Sequence, residues 1–153
     1  MDPLKTHHDW LVAVMMATEV PSAPQGSFTA AMIPLALRGV AEVVRNRARR
    51  GTFGGPLPVD VVMAKNQFSA VCREQYWRDA LAGRWGGRQI ERALATWKSL
   101  ETTLVGPDVV GPDVTHYYSP ISMIPKWSAP SWAAAMTEIV VPQINPQYFR
   151  WYK

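Results

Sequence analysis

Residues 10–17, Trp-Leu-Val-Ala-Val-Met-Met-Ala, are apolar without a break, and Thr18-Glu19 closes the run. Such a segment has no polar face to offer water. As a helix it must lie inside the molecule with other elements wrapped around it. Asp9 is expected to cap its start by accepting from the first free amide hydrogens. Pro21 and Pro24 end it, because proline lacks the amide hydrogen and clashes with the preceding turn. The run is too short to cross a bilayer, which needs roughly 18 or more apolar residues. The sequence therefore predicts one buried helix over Asp9–Glu19 with a single core around it. The chain has 153 residues, of which 48% are hydrophobic and 18% charged. A chain of that length buries roughly 70% of its unfolded surface. One domain over residues 1–153 follows, with no composition break to divide it.

The rest of the chain reads as mainly helical with a minor β element. A second helix is expected from about Thr29 or Pro34 to Arg50, since Leu37, Val40, Ala41 and Val44 recur at three- and four-residue steps. Arg38, Glu42 and Arg45 fall on its more polar side at ion-pair spacing, which predicts a surface pair. Gly51–Pro58 is turn-rich, and Pro58–Met63 begins a short helix or strand. Asn66–Ser69 reads as irregular. Glu74–Ala82 and Arg88–Leu104 read as helices. Val-Gly-Pro-Asp-Val occurs twice over residues 105–114, a loop insertion and not a repeat of whole structural units. Thr115–Tyr118 is strand-like. Ser131 is expected to cap a short helix through Met136, and the tail from Gln143 to Lys153 is aromatic and basic.

Several chemistries are excluded or weakened by residue type. One cysteine, Cys72, permits no internal disulfide and no multi-cysteine zinc site. A lone cysteine is more readily a small buried apolar residue than a nucleophile served by His116. His7 and His8 are adjacent and His116 is far away, so the histidines lack metal-ligand spacing, and no metal or cofactor is expected. The net charge of +4 and pI near 9.5 favour an anionic partner. Nucleic acid, a membrane surface and an anionic wall polymer all qualify. The one basic cluster is Arg45, Arg47, Arg49 and Arg50. Seven tryptophans are more than a core of this size requires, so some are expected to line a groove.

Among the acids, Glu19 stands out. A carboxylate at the end of an apolar helix faces both desolvation and the negative end of the helix dipole. Both favour its protonated form, which is what a general acid needs near neutral pH. The bland alternative is a Glu19 that faces solvent or pairs with an arginine. Aromatic and polar residues mix at Gln67-Phe68-Ser69, at Thr115-His116-Tyr117-Tyr118, and at Trp127 and Trp132. Such mixtures suit sugars, whose CH faces pack on rings while amides and hydroxyls read the substituents. Core filling accounts for part of them.

Five motifs in order resemble the SleB-like cell-wall hydrolases over about Trp10 to Phe149. They are Ala17-Thr18-Glu19, the helix ending in Asn46-Arg47, Gln67-Phe68-Ser69, Thr115–Tyr118 followed by Ser119-Pro120, and Pro130-Ser131-Trp132-Ala133; the tail Asn145–Phe149 fits as well. The resemblance implies a lysozyme-like, mainly helical fold acting on peptidoglycan glycan strands, as a lytic transglycosylase or muramidase. It implies Glu19 as the catalytic acid, and Gln67, Phe68, Ser69, Thr115, His116, Tyr117, Tyr118 and Trp132 as residues shaping the sugar groove. The chain departs from the family at Thr18-Glu19-Val20-Pro21, where a second Glu is missing, and in a longer stretch between Glu19 and Asn46.

Two other function classes remain open on the residues alone. One is a wall-binding or virion structural module that kept the fold without the chemistry, motivated by the departure after Glu19. The other is a nucleic-acid-binding protein using Arg45–Arg50 and the aromatics, with an affinity that falls steeply with salt; it is the less expected partner. The first residues lack the basic start, apolar stretch and cleavage site of a signal peptide. The expectation is a product made in the cytoplasm without membrane insertion. It would reach the wall as a phage endolysin released through a pore, or as a virion-borne lysin.

Overall fold

Helix α1 spans Pro3–Glu19 and runs through the centre of the molecule. In the computed structural model, which describes residues 3–64, 87–100 and 108–153, Val12 to Ala17 are all buried, and Met15 and Met16 are fully so. Burying each such side chain is worth about 1.5–3 kcal/mol, which explains why a run with little amphipathic character is helical here. The helix begins earlier than Asp9, so Asp9 is not its cap. Its carboxylate is buried instead and accepts from Trp97 Nε1 at 2.9 Å.

Around α1 pack α2 (Met32–Arg50), α3 (Pro58–Met63) and α4 (Gly87–Ser99), with α4 making the largest contact. The C-terminus of α2 carries Arg47, Arg49 and Arg50, cations that suit the negative end of the helix dipole. Gly51 then ends it in the left-handed region (φ 72°), its N–H bonding the carbonyls of Arg47 and Ala48, both at 3.1 Å. No helix among the described residues is long and apolar enough to cross a membrane. The expected irregular segment at Asn66–Ser69, the expected helix Glu74–Ala82, Cys72, and the end of the expected helix Arg88–Leu104 lie outside the described residues.

A small antiparallel sheet completes the fold, in the order β1 (His116–Tyr118), β3 (Arg150–Tyr152), β2 (Glu138–Ile139). Tyr117 pairs with Trp151, and Ile139 pairs with Trp151 from the other side. The central strand is thus the tail, whose Trp151 is 1% exposed. Trp151 lies against α2 at Gly39: a Cβ built there would stand 2.7 Å from the indole Cη2. Only glycine permits that approach. The predicted capping role of Ser131 is not what occurs; Ser131 is the first residue of a short 3₁₀ helix, Ser131–Ala135, whose preceding residue is Pro130. The architecture is mainly α with a minor β element.

Candidate active site

Glu19 is the last residue of α1, and it opens into a cleft of about 730 Å³. One wall is the loop after α1, from Val20 to Gln25; the other is Tyr117, Tyr118 and the turn Ser119–Met123. Arg47 of α2 and the aromatic pair Tyr148 and Phe149 close the back. The loop wall is held in place by the tail. Phe28 is fully buried against Tyr148 and Phe149, with ring centres 5.1 and 6.1 Å away. The Tyr148 hydroxyl donates to the Gln25 carbonyl at 3.0 Å, and Asn145 Nδ2 donates to Ser27 Oγ at 2.6 Å.

The opposite wall is set by α2, through residues far away in sequence. Glu42, predicted to form a surface pair, does pair with Arg38 (2.8 Å), but its carboxylate is completely buried. It accepts from the backbone N–H of Val109 (2.9 Å), Val110 (2.8 Å) and Gly111 (3.3 Å). One turn on, Asn46 Nδ2 donates to the carbonyls of Gly111 and Val114, both at 2.8 Å. Arg47 Nε donates to the Thr115 carbonyl at 2.6 Å. Arg45 clamps Asp108 at 2.7 Å, and this contact holds the Asp108 carboxyl below its usual range. Residues 108–114, the end of the first Val-Gly-Pro-Asp-Val copy and all of the second, are therefore not a free insertion. They form a strap that α2 ties down, and they deliver the chain into β1. The basic cluster is largely absorbed by this work: Arg45 is paired and Arg47 buried, leaving Arg49 and Arg50 exposed.

Three side chains from three elements meet at the cleft floor: Glu19, Arg47 and Tyr117. Burial pushes the Arg47 guanidinium below its usual value, while its electrostatic interactions with Tyr117 and Glu19 act to raise it. Its plane also lies against Phe53, with Cζ 5.0 Å from the ring centre. The Tyr117 hydroxyl is shielded from solvent. Burial raises its pKa well above the ordinary value, the Glu19 charge adds to that, and Arg47 opposes it. Tyr117 is thus a neutral phenol beside Glu19, close enough to feel its charge and its acceptor oxygens without completing a well-formed hydrogen bond. A carboxylic acid here can give up a proton to a ligand in the cleft. The anion left behind would sit beside a guanidinium and a phenol.

Of the residues expected to shape the groove, Tyr117 and Tyr118 line this cleft. Thr115, His116 and Trp132 do not. Thr115 is buried, with its Oγ1 2.9 Å from His116 Nδ1. The His116 ring packs between Phe53 (5.7 Å) and Trp132 (4.9 Å). Trp132 meets Tyr118 and Tyr152 edge-on. Gln67, Phe68 and Ser69 lie outside the described residues. Among the described residues no group of His, Cys, Asp or Glu is arranged to hold a metal ion. Arg47 is the cleft residue to which sequence reasoning gave no part in a sugar site, counting it only in the basic cluster and in the Asn46-Arg47 motif. Its one sequence signal was the Asn46-Arg47 pair in the last turns of α2.

The family model described as Cell Wall Hydrolase matches residues 36–149, from α2 through the cleft-lining Phe149. The match begins after α1, so Glu19 precedes it. No curated protein and no solved structure matches.

Proposed function

Because the chain belongs to the cell wall hydrolase family, whose substrate is peptidoglycan, we propose that it cuts the glycan strand between MurNAc and GlcNAc with Glu19 as general acid. The observation that carries this reading is the meeting of Glu19, Arg47 and Tyr117 in a cleft lined by polar groups and rings. Protonated Glu19 gives its proton to the glycosidic oxygen as the C1–O bond breaks, and the leaving sugar departs as an alcohol. Positive charge develops on the remaining ring. As the proton leaves, Glu19 becomes an anion beside Arg47 and the Tyr117 phenol. Both interactions strengthen along the reaction coordinate, which is what lowers a barrier.

The cation is then captured by one of two nucleophiles. Its own 6-hydroxyl can attack C1 and pass its proton to Glu19, leaving a 1,6-anhydro end. Water can attack instead, with the same proton acceptor, leaving a reducing end. In either route one carboxyl serves as acid and then as base, so no second acid is needed for proton balance. Tyr118, Ser119 and Ser122 on one wall and Gln25 on the other line the cleft, which supports a role for them in contacting sugar hydroxyls.

The test is digestion of purified peptidoglycan with mass spectrometry of the released fragments. Anhydro-ended muropeptides are the expected product of the first route; fragments heavier by one water identify the second. Glu19→Gln should release neither while keeping its fold by circular dichroism. Full activity in that variant would remove Glu19 from the mechanism, and binding without release from several wall types would favour a wall-binding module.

A further inference from the structure

The motif Pro-x-Trp-(Ser/Ala)-Ala occurs twice in succession, as Pro125–Ala129 and Pro130–Ala134. The two tryptophans have opposite fates. Trp132 is built into an aromatic cluster with His116, Tyr118 and Tyr152. Trp127 is 52% exposed, and Ile124 nearby is 95% exposed. Trp127 also has φ 71°, left-handed backbone that a bulky L-residue adopts only under constraint. One residue thus carries two unfavourable features, an indole in water and a disfavoured backbone. Folding alone selects against both.

The constraint that holds it is on the page. Trp127 N–H donates to the Pro120 carbonyl at 3.0 Å, while Ser128 donates to the Pro125 carbonyl from both its N–H (3.1 Å) and its Oγ (2.6 Å). Pro120 sits between Ser119 and Ile121, which line the cleft. The backbone at Trp127 is therefore tied to the segment that forms one wall of the cleft. Lys126 Nζ stands 5.4 Å from its ring centre, so a cation accompanies it.

We propose that Trp127 and Lys126 form a docking platform for the glycan strand beyond the bond that is cut. The inference rests on the glycan-strand reading above. The indole packs against the CH face of a sugar ring, as aromatic rings do with flat apolar surfaces. The ammonium attracts the carboxylates of the peptides that the strand carries. Trp127 follows the cleft-lining Met123 by four residues and is bonded back to Pro120, so a strand that leaves the cleft along Ser119–Met123 has the platform next to it.

The experiment is retention on purified insoluble peptidoglycan in the Glu19→Gln background, where nothing is digested. Adding Trp127→Gly should weaken retention about tenfold, the loss of one good aromatic contact, while the melting temperature holds or rises. Trp127→Phe should keep most of the retention, and Lys126→Gln should weaken it less and flatten its salt dependence. Equal retention with and without Trp127 overturns the platform, and it leaves the cleavage reading standing if the unmodified protein still releases fragments. Trp127-dependent retention with no fragments from the unmodified protein does the reverse. Failure of the Glu19→Gln protein to be retained at all overturns the platform. So does Trp127-dependent retention on anionic phospholipid vesicles in place of the wall, which would make it a membrane contact.

Discussion

Replacing Glu42 with alanine should unfold the strap and cost the protein a large part of its stability. The carboxylate is 0% exposed and accepts four hydrogen bonds, from Arg38 and from three successive backbone N–H groups at Val109, Val110 and Gly111. Removing it leaves those donors aimed into a cavity. Breaking a buried ion pair typically costs about 3–5 kcal/mol, because the partner's charge is stranded. Arg38 keeps a second acceptor in Asp108 at 3.4 Å, so the expected loss lies toward the lower end, about 3–4 kcal/mol. For a chain of this size that corresponds to a melting temperature lower by roughly 10 °C. Glu42→Gln keeps the shape but turns two donors toward other donors, and about half that loss is expected. Urea unfolding followed by circular dichroism measures both, and amide exchange at Val109 and Val110 reports the strap directly. A loss in Glu42→Ala of no more than about 1 kcal/mol, the worth of an exposed pair, with exchange at those amides unchanged, would refute the argument.

Gly39→Ala should destabilise by about 1–2 kcal/mol through overpacking against Trp151 (2.7 Å from the new Cβ), although the same change on an open helix face stabilises by about 1 kcal/mol; a gain in the urea midpoint would contradict the packing. At position 127, whose φ is 71°, glycine should be more stable than alanine by about 1 kcal/mol, the reverse of the usual order, and thermal unfolding of the two variants decides it. His116 is held below its ordinary pKa by burial first and by the charges of Arg47 and Arg50 next. The unfolded chain therefore takes up that proton before the folded one does, and stability should decline as pH falls below about 6.5 toward the folded value. Urea midpoints across that range should show a shallower slope in His116→Asn; an unchanged slope would rule out His116 as the source.

What was legible in the sequence is what local physics decides. An uninterrupted apolar run can only be an interior helix, and Val12–Ala17 are buried as composition requires. The three- and four-residue steps of α2 and the short strand at Thr-His-Tyr-Tyr are also local signals, and each is found; Pro58–Met63, open between helix and strand, is a helix. Two of the errors share one cause, a partner remote in sequence. Asp9 looked like a cap because its neighbours are all that sequence shows, yet its partner Trp97 lies 88 residues away. Glu42 looked like a surface acid because Arg38 is four residues off, whereas the backbone donors that bury it lie 67 to 69 residues on. The tail was read as aromatic and basic, not as the central strand, because three residues are too few to show an alternating pattern.

The candidate site depends on the same remote ties, and Arg47 shows why its residue type matters. Its Nε is committed to the Thr115 carbonyl at 2.6 Å, which fixes the start of β1 and with it Tyr117. Its guanidinium also interacts with the charge of Glu19 and lies against Phe53. A lysine has one compact charge and no planar face, so it cannot grip the strand, cover the ring and face the carboxylate together. Glu42, Asn46 and Arg47 occupy one end of α2 within little more than a turn, and all three hold the strap that ends at the cleft. The elements that carry the acid and the phenol are thus joined through a single helix. A change that loosens α2's hold on residues 108–115 should therefore reach the cleft by moving Tyr117 away from Glu19, without touching either residue.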